Sequence, residues 1–193
     1  MTYTPKILAF AGSARSGSFN KMLVKVAADG ARKAGAQVTY LDLRDLPMPL
    51  FDQDLEEREG EHPNAKAFKD LLRAHDGVLL SSPENNSTYS ALLKNAIDWA
   101  SRKRPGEQPL ECFAGKVACI MSASPGPFGG LRGIIQLRTL LSNIRFLVLP
   151  DQLTVSGADK AFDADGRLKD PKLQEAAERL GALLAGTLAK LKA

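Results

Sequence analysis

The sequence predicts an α/β fold: a five-stranded parallel sheet with helices on both faces. Three observations carry this. Short apolar runs alternate with helix-spaced apolar patterns along the whole chain. The run Gly77 to Ser82, G-V-L-L-S-S, reads as a strand buried on both faces, as a parallel sheet requires. Polar or Gly-rich loops follow the first, third and fourth strands, which places all three at the carboxyl edge of the sheet, where ligands bind at the switch in strand order.

The first strand is Lys6 to Ala11, an apolar run bounded by Gly12. A loop of Gly, Ser and Arg follows, and Phe19, Met22, Leu23, Val26, Ala27 and Ala31 then recur at helical spacing, giving a helix from Phe19 to about Ala34 with Gly35 at its C-terminal cap. A strand, a small-residue loop and a helix put unpaired helix N-terminal N–H groups beside hydroxyls, a combination that holds a phosphate. Arg15 adds a fixed cation able to make a bidentate anion contact. The loop is neither G-x-G-x-x-G nor G-x-x-x-x-G-K-[ST], so the dinucleotide and triphosphate fingerprints are both missing. Ser13, Ser16, Ser18 and Asn20 supply neutral donors, which suits a terminal phosphate monoester. The plainer alternative is a strand-to-helix turn capped by Ser18.

Val38 to Leu41 is the second strand, and Asp42 to Pro63 is expected to be irregular, with Leu46, Met48, Leu50 and Phe51 packing its first half down. Asn64 is expected to cap a helix through about Ala74, with Ala67, Phe68, Leu71 and Leu72 inward. Pro83 stops the third strand, and Glu84 to Ser90 forms a hydrogen-bonding loop. The next helix faces Leu92, Leu93, Ala96, Ile97 and Ala100 inward, and leaves Trp99 off the stripe for a subunit contact. Lys116 to Ser122 is the fourth strand. The loop Ala123 to Gly130 is dense in Gly and Pro, so its backbone can approach a ligand. Leu131 to about Asn143 is a helix and Arg145 to Leu149 the fifth strand. Asp151 to Asp170 is a long connection, and Pro171 opens a last helix with Leu173, Ala176, Ala177, Leu180, Leu184 and Leu188 as its stripe.

With 193 residues, 44% hydrophobic and 25% charged, the chain is expected to form one domain over residues 1–193, without disorder. The net charge of +4 favours anionic ligands. The cluster Arg102-Lys103-Arg104 reads as a solvated helix C-terminus rather than a nucleic-acid patch. The two cysteines, Cys112 and Cys119, fit a reducing compartment, with Cys119 a buried strand thiol. His62 and His75 have no clustered partners, so no metal site is expected. No apolar stretch spans a membrane or reads as a leader, and a cytoplasmic location is expected.

These residues resemble the NAD(P)H-dependent FMN reductase family, which includes bacterial quinone and chromate reductases. Its loop motif G-S-x-R-x-x-S-x-N is matched by Gly12, Ser13, Arg15, Ser18 and Asn20. Its P-E-Y-N motif and the following L-K-N-A-I-D-W are matched by Pro83, Glu84, Asn85 and Asn86, then Leu93 to Trp99. Its Ser- and Gly-rich loop leading into G-G-x-R is matched by Ser124, Gly129, Gly130 and Arg132. The resemblance implies a flavodoxin-like three-layer sandwich and a bound FMN. Ser13, Arg15, Ser18, Phe19 and Asn20 would hold the FMN phosphate. Glu84, Asn85, Asn86 and Ser87 would line the isoalloxazine ring, partly through backbone groups, and Ser124 would contact the flavin from the third loop. Asn85 stands where the motif carries Tyr, and Ser90-Ala91 where Pro-Gly is common, which bears on the acceptor pocket.

The implied activity passes electrons from NAD(P)H through FMN to a small acceptor such as a quinone, free flavin, chromate or an azo compound, with no catalytic side chain required. A homodimer or homotetramer is implied, with no nucleic-acid or membrane partner. The alternatives are a flavodoxin-like electron carrier and a flavin-binding redox sensor without significant NAD(P)H turnover.

Overall fold

A computed structural model describes residues 3–192. In chain order the elements are β1 (Lys6–Ala11), α1 (Phe19–Lys33), β2 (Gln37–Asp42), a short 3₁₀ turn (Leu43–Asp45), α2 (Gln53–Glu59), α3 (Pro63–Ala74), β3 (Gly77–Ser81), α4 (Ala91–Ala100), β4 (Val117–Ala123), α5 (Leu131–Asn143), β5 (Leu147–Val155), α6 (Ala158–Ala161) and α7 (Pro171–Lys192). The sheet order is β2-β1-β3-β4-β5, and every pair is parallel. This is the flavodoxin-like arrangement. The strand order reverses between β1 and β3, whose carboxyl ends lie level because Ala11 pairs with Ser81.

Side-chain alternation along the strands divides the core in two. Ile7, Ala9 and Ala11 of β1, with Leu79, Cys119 and Met121, pack under α1 and α7. Leu8 and Phe10, with Val78, Leu80 and Ile120, pack under α3, α4 and α5. The α1 and α7 backbones cross closely. A Cβ on Gly30 would lie 2.0 Å from the Glu178 carbonyl oxygen, and one on Gly181 would lie 1.8 Å from that of Ala27. No helix of the described residues is long and apolar enough to cross a membrane.

Several expectations need correction. Residues 42–63 are not irregular: the 3₁₀ turn and α2 lie within them. α2 has charged residues at most of its seven positions and so gives no apolar stripe. It is held because Glu56 pairs with Arg102 at 2.7 Å and Arg104 at 2.9 Å. The 102–104 cluster is therefore not a solvated helix end; two of its cations clamp α2. His62, not Asn64, caps α3, its Nδ1 accepting from the Asn64 N–H at 3.2 Å. On α3 Phe68 and Leu72 are buried and Leu71 packs half-buried against the same cluster, but Lys69 rather than Ala67 is a further buried residue, because its ammonium reaches Glu61 at 2.8 Å and Glu107 at 3.0 Å. Trp99 is only 1% exposed, so its ring is buried within its own chain rather than left at the surface; its indole N–H donates to the Pro49 carbonyl at 2.8 Å. β5 runs on to Val155, past Pro150, through a bulge opposite Ala118 to Ile120. Proline is accepted there because β5 is an edge strand.

Candidate active site

A crevice of about 420 Å³ opens at the carboxyl ends of β1, β3 and β4. Ser13, Arg15, Ser18, Phe19, Asn20, Glu84, Asn85 and Ser124 all line it. Asn86 and Ser87 do not.

Sequence locality builds the first end. The Gly12 N–H still pairs with the Ser81 carbonyl at 2.9 Å, and the chain then leaves the sheet. The N–H groups of Ser13, Ala14, Ser16, Gly17 and Ser18 find no partner among the described residues. Phe19 and Asn20 open α1, so their N–H groups have no intrahelical acceptor either. The Lys21 N–H goes to Ser18 Oγ at 3.4 Å. Open donors therefore gather at the positive end of a 15-residue helix. The exposed Arg15 guanidinium lies 5.2 Å from the centroid of the Phe19 ring, which itself stacks on Phe162, and no carboxylate of the described residues pairs with it.

Everything around these donors is pinned. Arg44 Nε donates to the Ala14 carbonyl at 2.8 Å from outside the loop. Ser90 Oγ, at the cap of α4, donates to the Gly12 carbonyl at 2.6 Å. Asn20 spends its side chain on the protein. Its Oδ1 accepts from Ser81 Oγ at 2.8 Å and the Ala123 N–H at 3.0 Å, and its Nδ2 donates to the Ala123 carbonyl at 2.9 Å. It ties the ends of β3 and β4 to α1 and forms the crevice floor. Lys21 is likewise taken, by Asp42 at 2.6 Å. Burial opposes the charge on Asp42, but the Lys21 bond and the Arg44 N–H outweigh it and hold the carboxyl below its ordinary range.

The second end is a tertiary construction. Asn85 and Thr88 exchange backbone hydrogen bonds of 2.9 and 3.2 Å, and Asn86 and Ser87 between them have φ of 50° and 68°. Two consecutive positive φ values make a type I′ turn, which carries Asn86 and Ser87 away from the crevice lining. Glu84 lines the crevice but its carboxylate is committed elsewhere: Oε1 accepts from Arg132 Nε at 3.0 Å and Oε2 from the Gly133 N–H at 3.1 Å. Ser124 is fixed by its N–H to the Val155 carbonyl at 3.0 Å, while its Oγ accepts from the Gly126 N–H at 3.3 Å. Gly130, at φ 92°, precedes α5 so closely packed that a Cβ would lie 1.9 Å from Ser122 Oγ.

Arg44 and Ser90 were not legible as site residues. Ser90 does carry one signal, a hydroxyl just before an apolar helix; Arg44 carries none. The thiols of Cys112 and Cys119 lie outside the crevice, and burial pushes them up to about 11 and about 12. A wider groove of about 900 Å³ runs along the outer face of α1 and meets the crevice at Ser18. Lys21, Arg32 and Lys33 on that groove are each paired with a carboxylate of its own lining, so its charge is largely neutralised.

An open nest of neutral donors with one unpaired arginine, at the β1/β3 switch point, fits the phosphate monoester of FMN. Residues 5–160 match the family described as NADPH-dependent FMN reductase. The chain belongs to that family. It is 40% identical over 172 residues to an NAD(P)H-dependent FMN reductase of Pseudomonas aeruginosa, covering 88% of each chain. It is 35% identical over 175 residues to an NADPH:quinone oxidoreductase of Arabidopsis thaliana, covering 88% of this chain and 85% of that one. In fold it is similar to the flavoenzyme NAD(P)H:(acceptor) oxidoreductase FerB of Paracoccus denitrificans, with a TM-score of 0.78 at 24% identity over 97% of this chain and 98% of that one. As an FMN reductase family member the chain is an NAD(P)H-dependent flavoenzyme, with FMN and NAD(P)H as its cofactors.

Proposed function

We propose that this chain holds FMN in the crevice at the ends of β1, β3 and β4 and passes electrons from NAD(P)H to a small acceptor, with quinones the leading class. The open donor nest between Ser13 and Asn20 carries this reading, and the NADPH:quinone oxidoreductase activity of the Arabidopsis relative supports the acceptor class. The backbone N–H groups of Ser13, Ser18, Phe19 and Asn20, with the Arg15 guanidinium, hold the phosphate. Pro83, Glu84 and Asn85 on one side and Ser124 on the other flank the ring through backbone and small polar groups. FMN supplies the hydride-accepting and electron-passing chemistry when bound. The chain's own residues bind, orient and shield, and no side chain has to move a proton. Asn85, smaller than the aromatic common at its position, leaves the acceptor side of the crevice wider.

The reading extends to a single FMN-binding domain over residues 1–193, in the cytoplasm, without nucleic-acid or membrane partners, assembled as a homodimer or homotetramer. Phe128, Leu131 and Ile135 are exposed together at the start of α5, beside the crevice, and support self-association through that face.

The test is the visible spectrum of the purified protein, before and after adding NADPH without oxygen, alongside its size in solution. A flavin spectrum that bleaches, followed by reoxidation on adding a quinone, is expected. A flavin inert to both NADPH and NADH would make the chain an electron carrier. No FMN uptake on titration would remove the cofactor from the crevice.

A further inference from the structure

We propose that the Glu84 side chain is a positioning group for the ring end of the crevice, its carboxylate acting through Arg132 and the start of α5 rather than by contact with the cofactor, which only the Glu84 backbone would flank; the proposal rests on FMN occupying this crevice. A helix ordinarily receives a side-chain acceptor for its third N–H from the residue at its own N-cap. α5 cannot supply one. Its N-cap is Gly130, which makes no side-chain capping bond and leaves no room for any side chain, because a Cβ there would meet Ser122 Oγ at 1.9 Å. The third N–H of α5, that of Gly133, is instead capped from another strand's loop by Glu84 Oε2 at 3.1 Å. The carboxylate charge sits against the positive end of the helix, and the second oxygen takes the Arg132 guanidinium at 3.0 Å.

This bond joins the two walls between which the ring would lie. One wall is the loop after β3, whose hairpin at Asn85–Thr88 closes only on itself through a turn of two positive-φ residues. The other is the loop after β4 that runs into α5. The walls approach closely: a Cβ on Gly133 would lie 3.3 Å from Glu84 Cβ and 3.2 Å from the Thr88 carbonyl. The Glu84 side chain is 10% exposed and that of Arg132 58%. Glu84 therefore closes the joint from inside while Arg132 screens it from solvent. The slot is set before the cofactor arrives, which lowers the ordering cost of binding. The same bond turns a carboxylate away from the place where a flavin ring would gain negative charge.

The test uses the full chain and the variants Glu84→Ala, Glu84→Gln, Arg132→Ala and the double Glu84→Ala/Arg132→Ala. Three quantities are read for each: FMN affinity, the midpoint potential of bound FMN, and the urea midpoint of the FMN-free protein. Loss of a charge-assisted bond is expected to weaken FMN binding about tenfold in Glu84→Ala. Glu84→Gln, which keeps an acceptor for the Gly133 N–H, should recover most of it. Arg132→Ala should shift the potential downward, because it frees the carboxylate charge, and the double variant should return it and bind FMN no more weakly than Glu84→Ala alone. Arg132 is exposed, so its variant keeps the test alive if Glu84→Ala does not fold. FMN affinity and potential unchanged in both single variants, or losses that add in the double, overturn the proposal. So does an affinity loss that merely tracks the urea midpoint. Wild-type protein that takes up no FMN is a different failure, that of the cofactor reading on which the proposal rests.

Discussion

At one end of the crevice the backbone N–H groups of Ser13, Ala14, Ser16, Gly17 and Ser18 find no acceptor among the described residues, while at the other end Glu84 is closed on Arg132 and Gly133, and Asn85 on Thr88. An anion site is made by withholding hydrogen bonds and pinning whatever surrounds the open donors. A slot for a flat ring is made by completing them, so that the walls are fixed relative to each other. The first needs one helix N-terminus and a short loop. The second needs two loops, from strands far apart in sequence, to find each other.

The strongest way to break this contrast is at the floor. Asn20→Ala leaves the Ala123 N–H and Ser81 Oγ buried without their acceptor, and should cost about 3 kcal/mol of stability in urea unfolding. A loss below about 1 kcal/mol would mean that the donors are pinned by something other than Asn20. Next comes Arg15→Ala, which touches only the open half. Arg15 is exposed, so the urea midpoint of the FMN-free protein should not move, whereas FMN affinity should fall by about 2 kcal/mol, roughly thirtyfold, in a fluorescence titration. A parallel fall in stability would make Arg15 a structural residue and dissolve the distinction.

Acid sharpens the comparison by isolating both ends from the rest of the molecule. Glu107 stands outside the crevice. Burial opposes its charge, but Arg73 and Lys69 outweigh burial and hold its pKa at about 2. A folded value below the unfolded one means that its contribution is complete above pH 4.5 and is lost as pH falls towards 2. The stability difference between wild type and Glu107→Gln, under about 1 kcal/mol after solvent screening, should therefore be present at pH 7 and nearly gone at pH 2.5, with equal FMN affinity in the two proteins at pH 7. The smallest effect is Ser87→Gly. The second position of a type I′ turn favours glycine, so this change should raise stability by about 0.5 kcal/mol and leave FMN binding alone. A weakened FMN complex would put Ser87 back against the ring.

The same contrast decides what could be read from the sequence. The strands, α1 and the donor loop follow from local pattern, since apolar periodicity, a Ser cap and an unpaired Arg all sit within Lys6 to Lys33. The type I′ turn was missed because Asn86-Ser87 lacks the glycine that usually marks it. The role of Glu84 was invisible because it depends on Gly130 having no room for a cap, a fact of packing between Ser122 and α5. α2 and buried Lys69 were missed for a related reason: charged residues count as surface until their partners, here Glu56 with Arg102 and Lys69 with Glu107, are known.

Gly30 and Gly181 let the α1 and α7 backbones touch, so the helix that presents the donor nest can neither roll nor slide without driving main chain into main chain. α7, residues 171–192, lies wholly beyond the stretch 5–160 that matches the family. The C-terminal helix thus serves as the keel against which the nest is aligned. A single added methyl at position 181 would be transmitted along α1 to the loop where the cofactor's phosphate binds, so inheritance of the site is written partly in a helix that shares none of its chemistry.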